Sequence, residues 1–251
     1  MWRKAGAGFR DDCFDRWPGV EHCFTSGGQG DMADARDFHG FFRGFQVRRG
    51  QRSDVPFSVV GGDRVHGTGV ETVRYAPGVR IFGETDGYLT RDPGTALTIM
   101  SADCVPVYVV DPDHSVVGLL HAGWRGTVGG ILPNALRRMA RQFGTKIRRV
   151  FVSLGPHARS CCYEVREDTA RAFGKYPFAL RALADRPGSF RLDLSAVLRS
   201  QAMGCGVLPK NFCVAPFCTV HDRRFHSYRR DKTRKRMCAL IMKGIGHEKK
   251  G

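Results

Sequence analysis

"LLHAGWRGT", Leu119 to Thr127, ends an apolar run on a histidine and then turns at once through small residues. A strand that stops there holds the His121 imidazole at a rigid sheet edge. Ala122 and Gly123 keep the wall beside it thin, so a flat molecule can approach. Trp124 is placed to brace the turn, and Arg125 to project a positive charge near the start of the next helix, a setting that suits phosphate. That helix is read from Leu132, Leu136, Met139, Ala140 and Phe143, which recur at helical spacing, with Thr127 as N-cap and Gly144 as the stop.

Working outward, "TALTIM" (Thr95–Met100), "VPVYVVD" (Val105–Asp111) and "SVVGLL" (Ser115–Leu120) are short apolar runs, the last two separated by the turn "DPDH". "RRVFVSLGP" (Arg148–Pro156), "NFCVAPFC" (Asn211–Cys218) and "MCALIMK" (Met237–Lys243) read as further strands. Strands mixed with helices, some as adjacent hairpins, predict an α/β (α+β) sandwich of mixed sheets flanked by helices and not a doubly wound sheet. A single domain is expected over residues 1–251, with residues 1–60 divergent or loop-rich. Residues 28–55 are polar, glycine-rich and poorly periodic, which reads as a long loop or mobile lobe.

With 42% hydrophobic and 25% charged residues the 251-residue chain reads as soluble and globular. It has no run near the roughly 18 to 20 apolar residues that span a bilayer, and its first twenty residues carry charges throughout, unlike an export signal. The cytoplasm is the expected location. Nine cysteines, an odd number, fit reduced thiols, most of them small buried hydrophobes. A net charge of +16 attracts anionic partners by field alone, or marks a surface that is simply cationic. The oligomeric state is not legible.

Three residues stand out as metal-capable: His66 in "RVHG", Cys104 in "SADCVP" and His121. Their spacings are far too long for a zinc finger and suit ligands brought together from separate strand ends. One Cys and two His make three protein ligands, which leaves a zinc ion one open position, the mark of a catalytic site.

"SADCVPV", "HAGWRGT", "GPHARSCCYEV" (Gly155–Val165) and "FHSYRRD" (Phe225–Asp231) together resemble the bacterial zinc-dependent purine nucleoside phosphorylases, a laccase-domain family also labelled as polyphenol oxidases. The likeness runs from about Val65 to Ile241. It implies zinc on the same three residues, His66, Cys104 and His121, and an α/β sandwich of mixed sheets. It further implies phosphorolysis of adenosine, inosine and methylthioadenosine, with adenosine deamination as a second activity. The expected partners are a small nucleoside and phosphate. Three positions depart from the family: Ser26 replaces an arginine before a Gly-Gly pair, Arg64 a glutamine before "VHG", and His157 an aliphatic residue after "GP". They bear on the substrate pocket and leave the metal ligands intact.

Other residues carry two readings each. Asp103 is a catalytic acid/base or ligand-orienting group, or an ordinary turn aspartate; Arg125 is the first phosphate-binding candidate. Glu164 is a pocket carboxylate or an exposed strand residue. Cys161 and Cys162 are reactive or zinc-binding, or, as favoured, one of them is simply buried. His114 is a solvated turn residue. The basic segment Arg223–Arg236 offers Arg229 or Arg230 to phosphate at the rim, or is a solvated loop. As a nucleic-acid surface it predicts only weak, nonspecific binding. Copper is expected only as an adventitious occupant, with Met100 near as a weak axial donor. The chain has no H-x-H pair for a trinuclear copper cluster. Editing of peptidoglycan precursors, attached to some relatives, is an alternative enzyme reading, and a basic nucleic-acid-binding protein is the non-enzyme alternative.

Overall fold

The structure is a computed structural model that describes residues 1–6, 8–17, 19–47, 58–62 and 64–244. Val105–Asp111 and Val116–Ala122 are buried at every position. Such continuous apolarity arises when both faces of a sheet are covered. The two strands pair antiparallel, with His121 opposite Pro106. Val107, Val109, Val116 and Leu120 face one core, while Tyr108, Val110, Val117 and Leu119 face another. They form the middle of a six-stranded sheet ordered Phe212–Val214, Phe151–Leu154, Val105–Asp111, Val116–Ala122, Gly87–Thr90, Val70–Thr72.

The second core lies between this sheet and a seven-stranded one. Its order is Trp2–Ala5, Gly8–Asp11, Val20–Thr25, Met237–Lys243, Thr95–Ser101, Ser58–Gly62, Gly78–Phe82. Phe24, Val60, Leu97 and Ile241 of the larger sheet pack there with Tyr88, Tyr108 and Leu119 of the smaller. The larger sheet's outer face, with Val59, Ala96, Leu240 and Met242, is covered by Phe42 and Phe38 of α1 (Ala35–Val47). The smaller sheet's outer face is covered by α3 (Ile131–Phe143), which follows the short α2 (Trp124–Gly129), and by Val197 and Leu198 of α5 (Leu194–Gly204), which follows α4 (Glu167–Ala172). The layers therefore run helix, sheet, sheet, helix. Both sheets are mixed, since Ser58–Gly62 and Phe212–Val214 join by parallel pairing. A small third sheet joins Glu164–Arg166, Ser189–Leu192 and Leu180–Ala182. No helix among the described residues is long and apolar enough to cross a membrane.

Four local expectations need correction. Residues 28–55 do not form one long loop: α1 occupies Ala35–Val47, because Phe38, Phe41 and Phe42 fall at i, i+3 and i+4 and pack against the sheet; positions 48–55 lie outside the described residues. Thr127 does not cap a helix; it is buried inside α2, and α3 begins after Gly130, which adopts a left-handed conformation at φ 86°. The strand containing His121 runs on to Ala122. In "NFCVAPFC" only Phe212–Val214 is strand. Gly144 does stop α3, at φ 70°.

Candidate metal centre

His66, Cys104 and His121, 17 to 55 residues apart in sequence, are brought together so that their ligand atoms lie within 4.8 Å of one another. Each comes from a different part of the frame. His121 sits near the end of a buried strand, Cys104 between the strands Thr95–Ser101 and Val105–Asp111, and His66 in the loop after Ser58–Gly62. His66 takes a left-handed backbone conformation, φ 58°, sparsely populated for a residue with a Cβ. Its ring lies 4.9 Å, centroid to centroid, from that of His121.

Asp86, which the sequence analysis missed, ties these pieces together. Its carboxylate accepts a hydrogen bond from His121 Nδ1 at 2.8 Å, from the His66 amide at 3.1 Å and from the Gly67 amide at 2.7 Å. Its carbonyl accepts the His121 amide at 2.7 Å. With Nδ1–H given to the carboxylate, His121 has Nε2 free as a lone-pair donor, which is how metal-binding histidines are usually oriented. Burial alone would raise the Asp86 carboxyl, yet hydrogen bonds from His121, Gly67 and His66 outweigh it and hold the group below the usual carboxylate range. The only hint in the sequence was a polar pair, Thr85–Asp86, directly before an apolar strand.

Gly123 is where the chain makes room. A Cβ there would stand 2.7 Å from His66 Cδ2 and 3.3 Å from Cys104 Sγ. The backbone at Gly123, φ −71° and ψ 173°, is open to any residue, so the requirement is space beside the ligands and not conformational freedom. At Gly126 a Cβ would lie 2.6 Å from the Gly67 carbonyl, which keeps α2 against the His66 loop.

The electrostatics suit a cation. Burial lowers His121 and His66, the first against the pull of its Asp86 hydrogen bond and the second against the Asp86 charge, so both imidazoles stand neutral as a metal requires. Burial, reinforced by the Asp103 carboxylate, pushes the Cys104 thiol up to about 12. A thiolate there needs a positive ion beside it, and a thiolate with two imidazoles is a donor set for zinc or copper and poor for magnesium or calcium.

Asp103 adopts φ 93° and is held by three donors to its carboxylate: Thr219 Oγ1 at 2.6 Å, Ser227 Oγ at 3.0 Å and the Arg229 amide at 2.6 Å. Its side chain thus pins the 219–229 segment over the Cys104 turn. Arg230 is engaged within that segment, its guanidinium donating to the carbonyls of Thr219, Val220 and Phe225 and pairing with Asp231. Arg229 instead lies over the Tyr163 ring at 5.2 Å, and exposed Arg125 lies over Trp124 at 4.4 Å. Trp124, Tyr163, Glu164, Asp168 and Arg229 line a cleft of about 270 Å³. Glu164 in it is paired with Arg186 at 2.7 Å and Arg191 at 3.8 Å. Arg64 donates to the Met100 carbonyl at 2.9 Å beside a separate groove, which it lines with Met32, Phe38 and Met100. Buried His157 is held by the Gly155 carbonyl and Ser195 Oγ, each at 2.7 Å. His114 Nδ1 closes its turn on Asp111 at 2.8 Å. Neither Cys161 nor Cys162 is buried, contrary to expectation; Cys161 is exposed and Cys162 half-buried.

The family described as multi-copper polyphenol oxidoreductase laccase matches residues 47–244, which include all three clustered ligands. The chain belongs to this family. Among curated relatives, a purine nucleoside phosphorylase of Streptomyces coelicolor is 34% identical over 186 residues, 74% of this chain and 75% of that protein. One from Bacteroides thetaiotaomicron is 38% identical over 149 residues, which take in 58% of this chain and only 55% of the relative. A prokaryotic protein named adenosine deaminase is 34% identical over 149 residues, 58% of this chain and 56% of its own. The crystal structure of YlmD from Geobacillus stearothermophilus superposes with a TM-score of 0.82 over 97% of this chain and 99% of that one, at 26% identity. The fold is thus shared over 97% of this chain, and the names of the relatives point to nucleoside chemistry.

Proposed function

We propose that this laccase-family protein is a zinc-dependent purine nucleoside phosphorylase acting on adenosine, inosine and methylthioadenosine, with adenosine deamination as a side activity. The observation that carries the reading is the convergence of His66, Cys104 and His121, with Tyr163, close enough to feel the Cys104 charge, lining a cleft together with Trp124 and Arg229. Three ligands, one oriented by Asp86 and two given room by Gly123, fit zinc with a position left open. When bound, zinc supplies Lewis acidity for charge that develops on the substrate.

The chain's own residues do the rest. In phosphorolysis a phosphate oxygen bonds to the anomeric carbon, the bond from that carbon to the purine nitrogen breaks, and the base leaves with the electron pair and takes up a proton. Bringing phosphate to the sugar calls for guanidinium groups not already spent on the protein. Arg125 meets that condition, lying over Trp124 with no carboxylate ion pair among the described residues, whereas Arg229 is partly engaged by Tyr163, over whose ring it lies and to which it hydrogen-bonds. Arg230 does not meet it, since its donors are committed to its own loop. Asp103 serves as a positioning residue, because its oxygens hold the segment that presents Arg229. Copper in the same three-ligand site would support only a minor oxidation of phenols, since the chain has no H-x-H pair with which to build an oxygen-reducing cluster.

The test is a nucleoside screen on zinc-loaded protein with and without phosphate, followed by chromatography. Release of free base together with ribose 1-phosphate, only when phosphate is present, is expected. Equal release without phosphate would make the protein a hydrolase, and turnover of a peptidoglycan precursor with no nucleoside cleavage would replace the proposal.

A further inference from the structure

We propose that Cys161, Cys162 and Cys218 form a second metal site, a three-sulfur centre for Cu(I), separate from the His66–Cys104–His121 group. The three sulfurs lie within 4.8 Å of one another. A metal–thiolate bond of about 2.3 Å puts the sulfurs of a trigonal site roughly 4 Å apart, so little movement is needed to close on an ion. No His, Asp, Glu or further Cys among the described residues joins the group. Three sulfurs without nitrogen or oxygen are a soft donor set, which selects Cu(I). A closed zinc site would want a fourth ligand that the group does not have.

The scaffold holds this arrangement before any ion arrives. His157 and Cys218 form a parallel bridge, and the Thr219 amide donates to the His157 carbonyl at 3.0 Å. The Cys162 and Tyr163 amides both donate to the Arg159 carbonyl, at 2.9 and 2.8 Å, which fixes the Cys161–Cys162 turn. The Arg159 side chain spans to the Pro216 carbonyl at 2.9 Å and locks the two segments side by side. The sulfurs also differ in a useful way. Cys218 is buried and accepts the Arg159 amide at 3.5 Å, while Cys161 is exposed. Cys218 is thus the fixed anchor and Cys161 the point of entry. On binding, each coordinating thiol passes its proton to solvent and the ion stays Cu(I), so no electron moves.

The experiment uses the reduced, zinc-loaded protein without oxygen and offers Cu(I) as its bicinchoninate complex. One Cu(I) per chain should leave the chromophore, with zinc retained and X-ray absorption showing sulfur neighbours alone. Cys161→Ser, at an exposed position that folding tolerates, and Cys162→Ser should each weaken uptake by more than the roughly 10–100-fold that losing an outer contact costs. Cys104→Ala should keep its Cu(I). Unchanged uptake in Cys161→Ser would overturn the proposal. So would loss of uptake in Cys104→Ala, nitrogen in the absorption spectrum, or a reduced chain that takes no copper.

Discussion

The Asp86 carboxylate lies 2.8 Å from His121 Nδ1 and also holds the amide of His66, so one buried side chain positions two of the three clustered ligands. A carboxylate in this place does more than neutralise charge. It selects the imidazole tautomer and stops the ring from turning.

Asp86→Asn keeps the shape of that group but sets an amide where a carboxylate accepted three hydrogen bonds. Zinc affinity should fall by about 10–100-fold, as is usual when an outer partner of a ligand is lost. Competition with a chromophoric chelator measures it. An unchanged affinity would show that His121 is held by packing alone.

Gly123→Ala tests the space beside the ligands. The added methyl meets His66 Cδ2 at 2.7 Å and must push that ring aside, while the backbone there accepts alanine without strain. The variant should lose at least tenfold in zinc affinity, in line with other disturbances of ligand orientation, and keep a melting temperature close to the parent's. Calorimetry and metal analysis on the same preparation separate the two effects.

Arg125→Ala should keep its zinc and lose about a hundredfold in phosphorolysis, the scale of one positioned contact to a transition state. Arg125→Lys should regain only part of that, because lysine lacks the forked contact. Arg230→Ala should differ in kind. It strips three backbone carbonyls of their donor and should cost about 2 kcal/mol of stability, read by urea denaturation. Wild-type turnover in Arg125→Ala would move the phosphate to another cation.

His157 predicts an acid limit to stability. Burial, opposed by the Gly155 hydrogen bond, lowers it from an ordinary 6.5 to about 4 in the folded chain. Above pH 6.5 both folded and unfolded chains hold it neutral, and its contribution is complete. Between about 6.5 and 4 the unfolded chain takes up the proton and the folded chain does not, so stability falls by about 3 kcal/mol as the pH drops. Denaturation of metal-free protein at pH 7.5, 6 and 5 should show the slope, and His157→Gln should make it shallower, leaving the part due to His66 and His121, which burial lowers in the same direction.

Much of this was legible without coordinates. The strands Val105–Asp111 and Met237–Lys243 match their apolar runs residue for residue, because a strand covered on both faces needs apolar side chains throughout. His66, Cys104 and His121 could be picked out only as a combination, because a single histidine or cysteine beside a turn is more often ordinary, and the fold brings the three together. Helix α1 was hidden because its phenylalanines are interleaved with glycine and arginine, and glycine inside a helix costs about 1 kcal/mol against alanine. Its stability comes from Phe38 and Phe42 against Val59 and Leu240, contacts that exist only once the sheet is built. Asp86 stayed invisible for a related reason. An aspartate before a strand looks like any turn residue until His121, 35 positions on, folds back to donate to it. Arg229 and Arg230 are neighbours of identical chemistry, yet one lies over Tyr163 and the other is bound into its own loop. Sequence determined which groups were available, through residue chemistry and local periodicity. The tertiary structure decided which of them are spent on holding the chain and which remain free to meet a ligand, because that depends on partners distant in sequence.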